Sequence, residues 1–274
     1  MKKCFMLLAA ALLTMSMSAA DLTGKKFYLN PGHGSFGPND RPAATIPYPE
    51  LPTTGMPDTC GFYESNTNLQ KAWYLGQKLM AAGATVQFSH TECGPWDYEK
   101  ANGDYPDYTW AEYQKHPDIE KYNRDLAEIC EEVEAGNFDY FISIHSNAAT
   151  EGGNVNYPLY LYRGHDEILA EDSINKYKYV PGSYEMAAAS WPHRNEIMLS
   201  GIDPSSYYNK PGQTNLRGDI NFYSSGTPYD RTLFKGTEDE VTYFGYLSVL
   251  HHGAPGFLVE GYFHTYQPAR HRAL

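Results

Sequence analysis

Apolar and polar positions along this chain fall into blocks that switch between two periods. Lys26 to Asn30 is a short apolar strand ending in Pro31-Gly32. From Asn66 to Ala82, Leu69, Trp73, Leu75, Leu79 and Met80 recur near the helical period and Gly83 supplies a stop, so a helix is expected there. Thr85 to Ser89 is β-rich. A second helix is predicted over Asp118 to Gly136, with Ile119, Tyr122, Leu126, Ile129, Cys130 and Val133 on one face, and the apolar run Asp139 to Ile144 follows it as a strand. Tyr157 to Tyr162 reads as a further strand, Ser183 to Ser190 as a helix and Asn221 to Tyr223 as a short strand; Glu240 to His251 is a late helix leading to the buried strand Gly256 to Val259. Strands that are apolar throughout and alternate with helices predict an α/β fold: a single domain with a mostly parallel twisted sheet and helices on both faces.

Two stretches break the alternation. Ser35 to Gly61 is rich in Pro, Gly and Asn, and Glu92 to Pro117 carries Trp96, Tyr98, Tyr105, Tyr108, Trp110 and Tyr113. Loops of such length inside a compact domain are usually functional or disordered. The second contributes to a surplus of aromatic residues, 24 of them Tyr, with more around Tyr207-Tyr208 and Tyr223. Rings outside the predicted elements suit the lining of a groove, whereas Tyr63, Tyr140 and Tyr243 read as core packing.

The first twenty residues stand apart from the fold. Lys2 and Lys3 precede the unbroken apolar run Phe5 to Leu13, and Ser18-Ala19-Ala20 offers small residues before Asp21, the pattern of a cleavable secretory signal. The expected organisation is therefore a signal peptide over 1–20 and one domain over 21–274, in a secreted or periplasmic protein without an integral membrane segment. Cys4 lies ahead of the apolar run, which disfavours a lipoprotein. The ending Arg270-His271-Arg272-Ala273-Leu274 resembles the start of a helix, so the chain is expected to continue beyond it.

Net charge is −12 over 274 residues, and loss of the two leader lysines leaves 19 basic against 33 acidic residues, a balance of −14. That balance argues against a sequence-independent grip on nucleic-acid phosphates or anionic lipid. Cys60, Cys93 and Cys130 remain after the leader, with no CxxC spacing, so a cysteine zinc ribbon or thioredoxin-like motif is also excluded; a Cys60–Cys93 disulfide or inert buried thiols are the open readings.

Candidate chemistry collects at strand ends. Asn30-Pro31-Gly32-His33-Gly34 sets a histidine in a glycine-lined turn. Gly32, Gly34 and Gly37 match GxGxxG, but Pro38-Asn39-Asp40-Arg41-Pro42 cannot open the helix that a dinucleotide loop needs. Ser143-Ile144-His145-Ser146-Asn147 brings a second histidine to a strand end, Glu260 follows the run Gly256 to Val259, and Glu64 just precedes the first helix. Open α/β sheets build sites at the carboxyl ends of their strands. Two histidines, one carboxylate and an open position make the pattern of catalytic zinc, and a further carboxylate can serve as general base. His90, His116, His165, His193 and His251-His252 read as surface or supporting residues.

These segments resemble the zinc-dependent N-acetylmuramoyl-L-alanine amidases of the amidase type 3 family. The likeness is carried by Leu29-Asn30-Pro31-Gly32-His33-Gly34, Glu64, Arg124, Ser143-Ile144-His145-Ser146-Asn147-Ala148 and Pro255-Gly256-Phe257-Leu258-Val259-Glu260-Gly261-Tyr262-Phe263, in order along nearly the whole chain. The resemblance implies that His33, Glu64 and His145 bind Zn2+ and that Glu260 is catalytic. It further implies that Arg124 and Asn147 orient substrate or support the ligands, and that the substrate is peptidoglycan or a muropeptide. This chain departs from the family in having Asn30 where an Asp usually stands behind the zinc ligands, and in lacking the Thr-Arg pair after the second strand, where it reads Phe88-Ser89-His90-Thr91-Glu92. Another zinc peptidase or amidohydrolase, and a non-catalytic glycan-binding module with a relict metal site, are the competing readings. The sequence leaves the oligomeric state open.

Overall fold

The computed structural model describes residues 21–33, 45–46, 62–91, 124, 126–148, 155–164, 180–197, 200–219, 249–250, 252–266, 268–269 and 272. The predicted leader, most of the two long loops, the strand at Asn221 to Tyr223, the late helix apart from Val249 and Leu250, and both Cys60 and Cys93 lie outside them.

Eight strands are seen among these residues: β1 Lys26–Pro31, β2 Thr45–Ile46, β3 Phe62–Tyr63, β4 Thr85–Phe88, β5 Tyr140–Asn147, β6 Leu159–Tyr162, β7 Leu216–Gly218 and β8 Gly256–Phe263. The helices are α1 Glu64–Ala81, α2 Leu126–Gly136, α3 Ser183–Ser190 and the single turn α4 Arg194–Ile197. Six strands form one sheet in the order β4-β1-β5-β8-β6-β7, and β2 pairs with β3 separately. The first four run parallel, as expected; β6 is antiparallel to β8, and β7 follows β6. The sheet is thus mostly parallel, as expected; the reversed pair is not marked in the sequence, because a fully buried strand reads as the same apolar run in either direction.

Successive strand residues point to opposite faces, and both faces are covered. On one, Tyr28, Phe141, Leu159, Leu161 and Leu258 pack against Ile129 and Val133 of α2 and against Val249, Leu250 and Ala254. On the other, Leu29, Ile142, Ile144, Tyr160, Tyr162, Phe257 and Val259 pack against Ala72, Leu75 and Leu79 of α1, Ala187 of α3 and Trp191. Full burial of one such side chain contributes about 1.5–3 kcal/mol, so both layers are needed. Cys130 is buried, and its thiol donates to Val249 O at 3.5 Å.

The face of α1 toward the sheet carries Asn68, Ala72, Leu75 and Leu79, so Trp73 and Met80, which share the apolar period, are 46% and 43% exposed. Trp73 instead lies over Phe88, with ring centroids 5.7 Å apart. The apolar period of this helix is blurred because its inward stripe starts with polar residues, a first sign that its amino end serves chemistry. Among the described residues no helix is long and apolar enough to cross a membrane.

His252 departs from expectation too. It is 4% exposed with its ring 4.4 Å from that of Phe141, and burial, then Arg163, push its pKa down to about 3. Unfolded histidine titrates near 6.5, so between about pH 6.5 and 3 the unfolded chain holds a proton that the fold refuses. Stability is thus expected to fall by about 1.4 kcal/mol per pH unit on acidification through that window. Equilibrium unfolding of His252→Phe should show a correspondingly shallower slope; an unchanged slope would assign the acid sensitivity elsewhere.

Candidate metal centre

The carboxyl ends of β1 and β5 lie side by side, since Asn30 pairs with Ser143 and Pro31 with Ile144. At the end of β1 the backbone turns sharply: Gly32 N donates to Ile144 O at 2.8 Å, and His33 takes the left-handed φ of 62°. Non-glycine residues rarely adopt that region, and they do so mostly where surrounding structure enforces it. Gly32 is dictated by packing, for a Cβ there would lie 2.2 Å from Cε1, 2.3 Å from Nε2 and 2.4 Å from Nδ1 of His145. The two imidazoles are thereby brought edge to face, with centroids 5.1 Å apart.

Glu64 completes the group. It is the first residue of α1, two positions earlier than the expected helix start, where a carboxylate suits the positive end of the helix. Its Oε2 is 3.3 Å from His33 Nε2 and its Oε1 is 3.3 Å from His145 Nδ1. Ser146 N donates to Oε1 at 2.8 Å, and Asn68 Nδ2 donates to Oε1 and to Gly32 O, each at 3.3 Å. Burial alone would raise the pKa of Glu64, but His33 and His145 outweigh it and hold the carboxyl well below its ordinary range. Burial pushes the His145 imidazole down, toward the neutral form that ligates metals.

The three side chains offer ligand atoms that all lie within 4.8 Å of one another. Four-coordinate zinc with bonds of about 2.0–2.1 Å sets neighbouring donors roughly 3.4 Å apart, and each imidazole has one carboxylate oxygen at about that spacing, Oε2 for His33 and Oε1 for His145, both at 3.3 Å. Two nitrogens and one oxygen are also the donor set of catalytic rather than structural zinc sites.

Glu260 does not follow its strand as expected. It lies inside β8, which continues to Phe263, and pairs with His145 across the β5–β8 ladder. It is buried, at 4% exposure. Lys71, one turn beyond Asn68 on α1, feels both Glu64 and Glu260; burial holds its pKa down near 8 despite them. The Lys71 ammonium donates to Asn68 Oδ1 at 3.3 Å and sits 4.4 Å from the ring centroid of Tyr262.

The remaining expected residues make contacts of their own. Asn30 Nδ2 donates to Ser143 Oγ at 2.9 Å, tying β1 to β5 one pleat below His145. Arg124 pairs with Glu132 at 2.9 Å and donates to Ser89 O at 3.2 Å; Glu132 also accepts from the Tyr28 hydroxyl. Its charge and that of His33 add to burial in pushing buried His90 down to about 4. Asn147 ends β5 with its Oδ1 accepting from Ala148 N at 2.8 Å.

His264 was not singled out from the sequence. It is 2% exposed, with Nδ1 3.0 Å from Ser146 Oγ and 4.0 Å from Glu64 Oε2. The signal that marks His145, a histidine directly after an apolar run, also marks His264 once the last strand is carried through Gly261-Tyr262-Phe263. Asn68 and Lys71 had no such signal, because polar residues one turn apart on a helix look like its solvated side.

No family model matches the chain, and no curated protein matches it. Solved structures with a related chain path include an N-acetylmuramoyl-L-alanine amidase from Clostridium difficile 630, at 17% identity over 93% of this chain and 87% of that one, with a TM-score of 0.49. The catalytic domain of an N-acetylmuramoyl-L-alanine amidase from Bacillus (Paenibacillus) polymyxa var. colistinus matches at 13% identity over 91% and 87%, with a TM-score of 0.48. The N-acetylmuramyl-L-alanine amidase from Mycobacterium smegmatis matches at 15% over 93% and 96%, with a TM-score of 0.47.

Proposed function

We propose that this protein is a zinc-dependent N-acetylmuramoyl-L-alanine amidase, which hydrolyses the amide between the lactyl group of N-acetylmuramic acid and L-alanine in peptidoglycan. The observation that carries this reading is the convergence of His33, Glu64 and His145, with Glu260 paired to His145 on the adjacent strand. The strand-end motifs that resemble the amidase type 3 family supply the choice of bond. A leader over 1–20 ahead of a catalytic domain over 21–274 accords with a secreted or periplasmic substrate.

His33, Glu64 and His145 would hold the ion. Zinc bound by three protein ligands polarises a carbonyl and makes water acidic near neutral pH. Glu260, outside the ligand trio, is the base that takes the proton of the attacking water and returns it to the departing L-alanine amine. The burial of Glu260 keeps competing solvent away from that transfer. Phe263, Tyr157, Tyr208 and Tyr207 extend from the end of β8 as successive ring contacts at 4.6, 5.3 and 5.2 Å, ending on Tyr207, which is 59% exposed. That run supports a glycan-peptide track, since sugar and peptide rest on aromatic faces without needing charge.

Purified protein incubated with defined muropeptides should release the intact stem peptide, with L-alanine as its new amino terminus, and chelation should stop the release until Zn2+ is restored. Cleavage within the stem peptide instead would make the protein a peptidase. Glycan binding by zinc-loaded protein without cleavage would favour the binding-module reading.

A further inference from the structure

We infer that His264 and Ser146 form a clamp that aims the ligands His145 and Glu64, which makes His264 a positioning residue of the metal centre; this rests on the metal-binding reading of the site. The β5–β8 ladder is regular up to His145 and Glu260 and then shifts, so that Asn147 pairs with Phe263. Two steps along β5 thus match three along β8. Such an extra residue kinks a strand and re-aims its side chains, and bulges recur beside active sites. Here it falls between the proposed base and the end of the ligand strand.

The irregularity is closed twice by His264. Its backbone N–H donates to Asn147 O at 2.8 Å, and its Nδ1 lies 3.0 Å from Ser146 Oγ, with both side chains buried. Ser146 then spends its own backbone N–H on Glu64 Oε1 at 2.8 Å. One residue therefore follows the ligand His145, holds the ligand Glu64 and is itself held by His264. The 4.0 Å between His264 Nδ1 and Glu64 Oε2 is too long for a hydrogen bond, so His264 acts on the carboxylate through Ser146.

The test uses the full chain and measures the Zn2+ dissociation constant by competition with a chromophoric chelator for wild type, Ser146→Ala, His264→Phe and the double variant. Groups that orient metal ligands are worth about 10- to 100-fold in affinity, and each single variant is expected to lose that much. Because both remove one shared contact, the double variant should lose no more than the worse single one. His264→Gln, which keeps a hydrogen-bonding group, should recover most of the affinity. A role in stability alone would lower the melting temperature of the chelated protein and leave the dissociation constants equal, which overturns the clamp, as do losses that simply multiply. If His264→Phe does not fold, Ser146→Ala and His264→Gln decide by the same measurement. Wild type that binds no Zn2+ sinks the clamp and the metal reading together; wild type that binds Zn2+ but cleaves no muropeptide removes the amidase reading and leaves the clamp standing.

Discussion

Glu260→Ala is expected to keep its bound Zn2+ and to lose roughly 10²- to 10⁴-fold in kcat, the range a positioned general base supplies. The separation of the two effects follows from where the residue sits. The ligand trio comes from the end of β1, the start of α1 and the end of β5, whereas Glu260 belongs to β8 and stands outside the trio. Removing it takes no donor from the ion. What is lost is the group that carries a proton from water to amine, together with a buried charge next to Lys71. Glu260→Gln is the closer comparison: it preserves volume, cannot accept the proton, and should fall to a similar rate. Turnover within a few-fold of wild type in either variant, with zinc content intact, would remove Glu260 from the mechanism. Loss of zinc would instead make it a ligand.

How much of this was legible beforehand depended on what each residue reports. Burial on both sheet faces leaves an uninterrupted apolar run, so the strands from Lys26, Asp139 and Gly256 were readable, as was the helix Ser183 to Ser190. The same property hid strand direction and strand ends. β5 runs on through His145 and Ser146 to Asn147, and β8 through Glu260 to Phe263, because their polar residues are buried beside one another rather than solvated. The site residues at strand ends were visible as polar side chains abutting apolar runs. Those supplied by α1 were not, apart from Glu64: its polar first turns resemble an exposed helix face, although Asn68 is fully buried against the carboxylate it serves. Arg124 illustrates the converse, since its position in the motif says nothing of the Glu132 and Ser89 contacts that hold it.

Gly32→Ala should be the most damaging single-methyl change near the site. Glycine is present here for space, as the close approach to Cε1, Nε2 and Nδ1 of His145 leaves no room for a Cβ. Relief cannot come from the backbone, because Gly32 N is bonded to Ile144 O and Gly32 O accepts from Asn68. The imidazole must therefore swing away, and with it goes one of three ligands. The expected loss in zinc affinity is at least ~100-fold, beyond the ~10- to 100-fold that follows from disturbing a supporting partner alone. Activity should fall with the metal and recover only in part at high Zn2+, since the ring remains displaced. The core beneath is untouched, so the chelated variant should melt within a few degrees of the chelated wild type. Gly253→Ala is the matched control: nothing lies within 4 Å of its Cβ position, and it should alter neither quantity. A Gly32→Ala protein that binds Zn2+ as wild type does would show that His145 is not held against the turn when the ion is bound, and the ligand assignment would have to be drawn again.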